Sequence, residues 1–257
     1  MDVPQSTRIV RFNRWLPYWA VLQADTRLTL RSWVYRIWVI LTLVAAAGYF
    51  LYRVGVYHEA GIVQHASTLV SDLLRWSVLG SVTLIIVLTA GSISSERGTM
   101  ADSVLSRGIS RYQYFLGKWH ARLTMVTGTF MLMGVLLLVA SIFLLREDLS
   151  WTGSLLAILT ICAVLGAVAS CGVTLSAIFN SPLVSIAVLW ITLYGVGFVL
   201  SLLPAHYPSP YRALNSLPEI LRGEYDLRAL GKFIGWSAVV ACLSASVGLG
   251  WFSRRDV

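Results

Sequence analysis

The sequence predicts an all-α polytopic membrane protein with six transmembrane helices, on three observations. Apolar residues make up 57% of the chain and charged residues 12%, with a mean hydropathy of +0.73, whereas a soluble domain carries about 25% charged residues. Apolar runs of about 20 residues, the length that crosses a bilayer as a helix, recur along the chain. Between Leu149 and Tyr211 there is no Asp, Glu, Lys or Arg, a stretch too long for one crossing. The whole of 1–257 reads as a single transmembrane domain.

Residues 1–32 read as an N-terminal interfacial helix. Trp15, Trp19, Leu22, Leu30 and Trp33 fall near one helical face, while Arg14, Asp25, Arg27 and Arg31 keep the other faces polar. That is the pattern of a helix lying in the headgroup plane. Pro17 stands near its start, where a missing N–H costs little. The spans follow at 33–52, 76–95, 123–145, 151–177, 183–203 and 233–251. Arg36 and Arg53 snorkel from opposite ends of the first. Residues 53–75 read as a polar connection with His58, Glu59, His65 and Asp72, and Tyr112 to Arg122 as a helical extension of span three.

Arg146-Glu147-Asp148 is a tight polar turn, and Asn180-Ser181-Pro182 divides span four from span five. Residues 204–232 form an external or re-entrant segment. Ser209 before Pro210, and Ser216 three before Glu219, predict one or two short helices there. Asp226 is placed to cap the sixth span. Trp33, Trp76, Trp119, Trp151, Trp236 and Trp251 all sit near boundaries, as an aromatic belt requires.

Placing both termini in the cytoplasm puts 13 of the 20 Lys and Arg residues on that side, in agreement with the positive-inside rule. The net charge of +8 therefore reads as orientation and lipid contact rather than nucleic-acid binding. With six arginines and no isolated apolar core in its first 36 residues, the chain is expected to lack a secretory signal peptide. Cys162, Cys171 and Cys242 lie in apolar segments without ligand spacing and read as small packing residues.

Several chemistries are excluded. Gly117-Lys118 is followed by Trp119 and has no glycine five residues before it, so no phosphate-binding loop is formed. No span holds a central carboxylate, lysine or histidine for an ion or proton relay. No catalytic set can be assembled, so the chain reads as a non-enzyme that would need an external source of work.

The most informative stretch is 96–122. Thr99 with Asp102, and Ser110 with Gln113, have the spacing of two capping boxes. Between them Met100, Val104 and Leu105 give a short helix one apolar side, and Gly108 suits a left-handed stop. Membrane anchoring alone accounts for Arg97, Lys118 and Arg122. It does not account for Glu96, a carboxylate at the negative end of a helix.

The Glu96-Arg97-Gly98-Thr99 run, the short helix, Ser110-Arg111 and Gly117-Lys118 resemble the coupling-helix region of type-2 ABC transporter permeases. Among these the chain looks most like the permeases associated with copper-enzyme maturation. The resemblance extends to the N-terminal helix, the six spans and the Phe252-Ser-Arg-Arg-Asp256 ending. It implies a multi-pass permease of a prokaryotic cytoplasmic membrane, bound as a homodimer or pseudo-dimer to two cytoplasmic ATPase subunits. ATP and Mg would then be held by those subunits, with no cofactor in this chain. By position, Glu96, Arg97, Gly98, Thr99, Asp102, Val104, Leu105, Arg107, Ser110, Arg111 and Lys118 would form the ATPase-coupling loop. The alternative is a membrane scaffold or signal relay that uses ATPase strokes and moves no substrate.

Trp190, Tyr194 and Phe198 recur at i, i+4 and i+8 on span five and are candidates to line a substrate path, although such stripes usually pack. Small-residue stripes on span four (Ala163, Ala167 and Cys171, beside Gly166, Ser170 and Thr174) and span six (Ala241, Ser244, Ala245 and Gly248) suit close helix packing. His58, His65 and Asp72, seven apart, do not make a closed ligand set, and no metal site is assigned.

Overall fold

The computed structural model describes residues 15–60, 65–96, 109–144, 149–202 and 209–254. Within them the chain forms nine α-helices: α1 (Leu16–Arg31), α2 (Trp33–Ala60), α3 (Ala66–Ala90), α4 (Arg111–Leu144), α5 (Trp151–Ile178), α6 (Pro182–Leu202), α7 (Pro210–Asn215), α8 (Leu217–Arg222) and α9 (Leu227–Arg254), with one 3-10 turn at Ser94–Glu96. Six of them, α2, α3, α4, α5, α6 and α9, are long and apolar enough to cross a membrane. The protein is thus a multi-pass, all-helical membrane protein.

The helix limits have local causes. Ser32 leaves α1 with extended ψ, and its hydroxyl accepts from the N–H of Tyr35 at 3.1 Å, so one residue ends α1 and caps α2. At the start of α4 the Ser110 hydroxyl accepts from the N–H of Gln113, and the Gln113 side chain accepts from the N–H of Ser110. This is the reciprocal box that the sequence predicts. Asp226 caps α9 through the N–H of Arg228 at 2.9 Å. The break between α5 and α6 falls at Phe179–Ser181, with Pro182 opening α6 as its fixed φ favours.

Three expectations are corrected. Residues 53–75 are largely helical, because α2 runs to Ala60 and α3 starts at Ala66. Ser67, Leu69, Val70, Leu73 and Leu74 recur at helical spacing and are buried, so this lead-in has a face to pack. The two short helices in 204–232 do form, but neither Ser209 nor Ser216 caps through its side chain. Ser216 bonds back to the carbonyl of Ala213 instead. Finally, α1 does not keep all its polar residues outward: Asp25 and Thr29 are its buried residues.

Helix α5 is the axis of the bundle and packs against α3, α4, α6, α8 and α9. Of its most apolar stretch 61% is buried, against 11% for α6. Small residues make this possible. On the α5–α9 contact, Thr174 donates to the Ser244 carbonyl at 2.8 Å and accepts from the Ser244 hydroxyl. A Cβ on Gly248 would stand 2.8 Å from Phe115 and 2.9 Å from Thr174, so the small stripes of spans four and six serve packing within the chain.

Helix α8 seals the other end of the core. Leu217, Ile220 and Leu221 are fully buried, and the Leu221 carbonyl accepts from the N–H of Ser150. Gly223, with φ of +91°, ends α8 in the left-handed region where glycine carries no Cβ penalty. A Cβ on Gly153 would run into the Ile220 carbonyl oxygen. Gly153→Ala should therefore lower stability by about 1–3 kcal/mol. Gly235→Ala, which meets nothing within 4 Å, should be neutral or better. Thermal unfolding of the two purified variants compares them directly.

Candidate functional site

Five elements meet beside the two positions, 96 and 109, that flank the 97–108 segment: α1, the turn after α3, the first turns of α4 and the last turns of α5 and α9. The chain leaves α3 at Ala90, and the Ser176 hydroxyl on α5 accepts from the N–H groups of both Ile93 and Ser94 at 2.9 Å. That turn ends at Glu96. Under it lies an apolar cluster of Ile93, Tyr114, Phe115, Val173, Ala177 and Phe252. Arg111 reaches the carbonyl of Ser253 near the end of α9, at 3.4 Å.

An ionic quartet crosses this floor, with Asp25 and Lys118 buried, Arg122 12% exposed and Glu96 at its edge, 39% exposed. Tyr114, Lys118 and Arg122 follow at i, i+4 and i+8 and so share one face of α4. Lys118 is 3% exposed and lies 2.6 Å from Glu96 Oε1 and 3.3 Å from Asp25 Oδ1. It also donates to the carbonyl of Ser92 at 2.8 Å. Arg122 grips Asp25 with Nε 3.0 Å from Oδ2 and Nη2 3.1 Å from Oδ1, and Asp25 is 2% exposed. Tyr114 donates to Glu96 Oε2 at 2.8 Å. Two carboxylates balance two cations, so the group is neutral as a whole. Buried charges persist only when paired in this way.

The Gly117-Lys118 pair has a physical explanation here. A Cβ on Gly117 would stand 2.9 Å from Val21 and 3.2 Å from the Tyr18 carbonyl. Only glycine lets the α1 backbone come this close, and close approach brings Asp25 within reach of Lys118 and Arg122. Around the contact Tyr18 packs edge-on against His120.

The sequence-derived residues divide as follows. Glu96 and Lys118 come together, but they face each other rather than outward, which explains a carboxylate in so unfavourable a position. Ser110 serves as a cap and Arg111 ties α4 to α9. Arg97, Gly98, Thr99, Asp102, Val104, Leu105 and Arg107 lie outside the described residues, as do the Thr99 box and the Gly108 stop. Asp25, Tyr114 and Arg122 were not singled out as site residues. Two signals were available: Asp25 is the only carboxylate between residues 3 and 58, and the Tyr-Lys-Arg stripe is periodic.

On α6, Trp190 stacks on Tyr194 with centroids 4.5 Å apart. Trp190 is half-buried against the core, while Tyr194 and Phe198 are exposed. Two apolar clefts lie elsewhere, on either side of α2. One is lined by Trp38, Leu41, Leu73 and Trp76, the other by Phe50, Leu74, Phe130 and Met133, each of about 390 Å³. Of the seven-spaced set, Asp72 accepts from the Tyr49 hydroxyl at 3.4 Å and His65 precedes α3. Among the described residues no three His, Cys, Asp or Glu side chains gather to hold a metal.

No protein-family model matches this chain, and no curated protein does.

Removing one member of the quartet strands its partner's charge in the interior, which costs about 3–5 kcal/mol. Asp25→Ala and Arg122→Ala should each destabilise the protein on that scale. The double variant should lose clearly less than the sum, with a coupling of about 0.5–3 kcal/mol. A double-mutant cycle read by thermal or denaturant unfolding in one detergent checks this, and strict additivity would contradict the geometry.

Proposed function

We propose that this chain is the membrane-spanning permease subunit of an ATP-binding-cassette exporter. It would act with a second permease copy or homologue and two cytoplasmic ATPase subunits that bind ATP and Mg. The observation that carries the reading is the anchoring of both ends of the 97–108 segment. Glu96 at its beginning is joined at 2.6 Å to Lys118, about two turns into the helix that follows it, and Lys118 is tied in turn to Asp25 of α1. A segment clamped at both ends transmits a push to α3, α4 and α1 together instead of flexing at its root.

In this reading the residues have two kinds of role. Glu96, Lys118, Asp25, Arg122 and Tyr114 fix the root. Arg97, Thr99, Asp102, Val104, Leu105 and Arg107 would meet the ATPase, the arginines through charge-assisted hydrogen bonds and the aliphatic pair by filling a cleft. Motion would pass from α3 and α4 into α5, against which both pack. Tyr194 and Phe198 would border a substrate path at the interface with the second permease. The cytoplasmic placement of both termini belongs to the same proposal and rests on the Lys and Arg distribution.

Affinity purification of the tagged chain in mild detergent should co-isolate a nucleotide hydrolase, and Arg107→Glu should reduce the recovered hydrolase activity by about tenfold or more. Isolation of the wild-type chain free of any hydrolase would overturn the proposal. In the reconstituted assembly, Trp190→Ala and Tyr194→Ala should alter substrate stimulation of hydrolysis without loss of subunits. Unchanged stimulation would remove the α6 aromatics from the path.

A further inference from the structure

The inward turn of Asp25 has an effect on the opposite side of α1. It is the only carboxylate between residues 3 and 58, and it is neutralised inside by Arg122 and Lys118. What α1 and the start of α2 present outward is therefore cationic without compensation from their own sequence. Arg27 and Arg31, one helical turn apart, are both exposed, and among the described residues neither has an ion-pair partner. Arg36, also exposed, folds back across the Ser32 elbow, where its Nε donates to the Leu30 carbonyl at 3.2 Å. That bond brings a third guanidinium to the end of α1.

Apolar groups stand among these charges. Leu28, Leu30 and Trp33 are exposed, Trp33 at 76%. Trp33 is also the first residue of α2, one of the six helices long and apolar enough to span, so the elbow lies at the end of a membrane helix. Cations and exposed hydrocarbon side by side at such a boundary match a molecule that is anionic at one end and apolar at the other. The geometry points to a binding site for the headgroup of an anionic phospholipid at the α1–α2 elbow, formed by Arg27, Arg31 and Arg36 over Leu28, Leu30 and Trp33. The phosphate meets the three positive charges, and the acyl chains run down beside Trp33. Membrane placement is all this requires, so it stands or falls separately from the transport reading.

Native mass spectrometry of the detergent-purified full chain, titrated with phosphatidylglycerol and with phosphatidylcholine, tests it. Each arginine near an anionic surface strengthens binding about fivefold, so phosphatidylglycerol should be retained at least tenfold better at low ionic strength. The preference should shrink at high salt. Combined Arg27→Gln, Arg31→Gln and Arg36→Gln should abolish it, while the three corresponding lysine substitutions should keep most of it. Equal retention of the two lipids by the wild type, an intact preference in the glutamine variant, or its loss in the lysine variant would each overturn the site. A glutamine variant that kept the lipid preference but lost an acidic protein partner would assign the surface to that partner instead.

Discussion

A carboxylate and an ammonium taken out of water are tolerated only together, and the fold of one end of this protein follows from that requirement. Withdrawing Asp25 takes the carboxylate from Arg122 and leaves Lys118 with Glu96 alone, and withdrawing Glu96 leaves Asp25 to face two cations, so either change leaves one surplus positive charge. The quartet thereby makes α1 an integral part of the bundle although its outer face is rich in exposed tryptophan and leucine. Hydrophobic burial would favour no such registration, since surrounding lipid is as apolar as the neighbouring helices. Paired charge gives the register that apolar contact does not.

The same economy of contact runs through the rest of the bundle. With lipid outside and helices inside, close packing depends on small residues and on polar side chains that find each other. Thr174 with Ser244, Trp119 with Ser170 at 2.9 Å, Trp38 with Ser81 at 2.7 Å and Tyr35 with Thr129 at 2.7 Å each tie two helices. The ties of α2 by Tyr35 and Trp38 lie in its first half, where it meets α4 and α3. Beyond them it borders the two apolar clefts and returns to α3 through Tyr49 with Asp72 and through the packing of Ala46 and Phe50 against Leu73.

Much of this was legible in the sequence. The six long apolar helices, the Asn180-Ser181-Pro182 break, the Ser110–Gln113 box and the Asp226 cap all depend on residues within a few positions of one another, and all are found. Errors arose where the deciding partner is distant. Asp25 looked like one more polar residue on an amphipathic helix, because its partners lie 93 and 97 positions away at Lys118 and Arg122. The lead-in to α3 read as a polar connection, because α8, which covers its apolar face, comes some 150 residues later.

By itself, then, the chain determined its helices, its solvent and the positions of its breaks, since hydropathy, periodicity and capping are properties of neighbouring residues. The tertiary structure alone decided which face of α1 is inside, that Glu96 and Lys118 serve each other, and that Gly117 and Gly153 are contact points and not flexible ones. The physical reason is common to all three. Whether a charge or a glycine is favourable at a position depends on what the rest of the chain brings against it, and that is settled only when the helices pack.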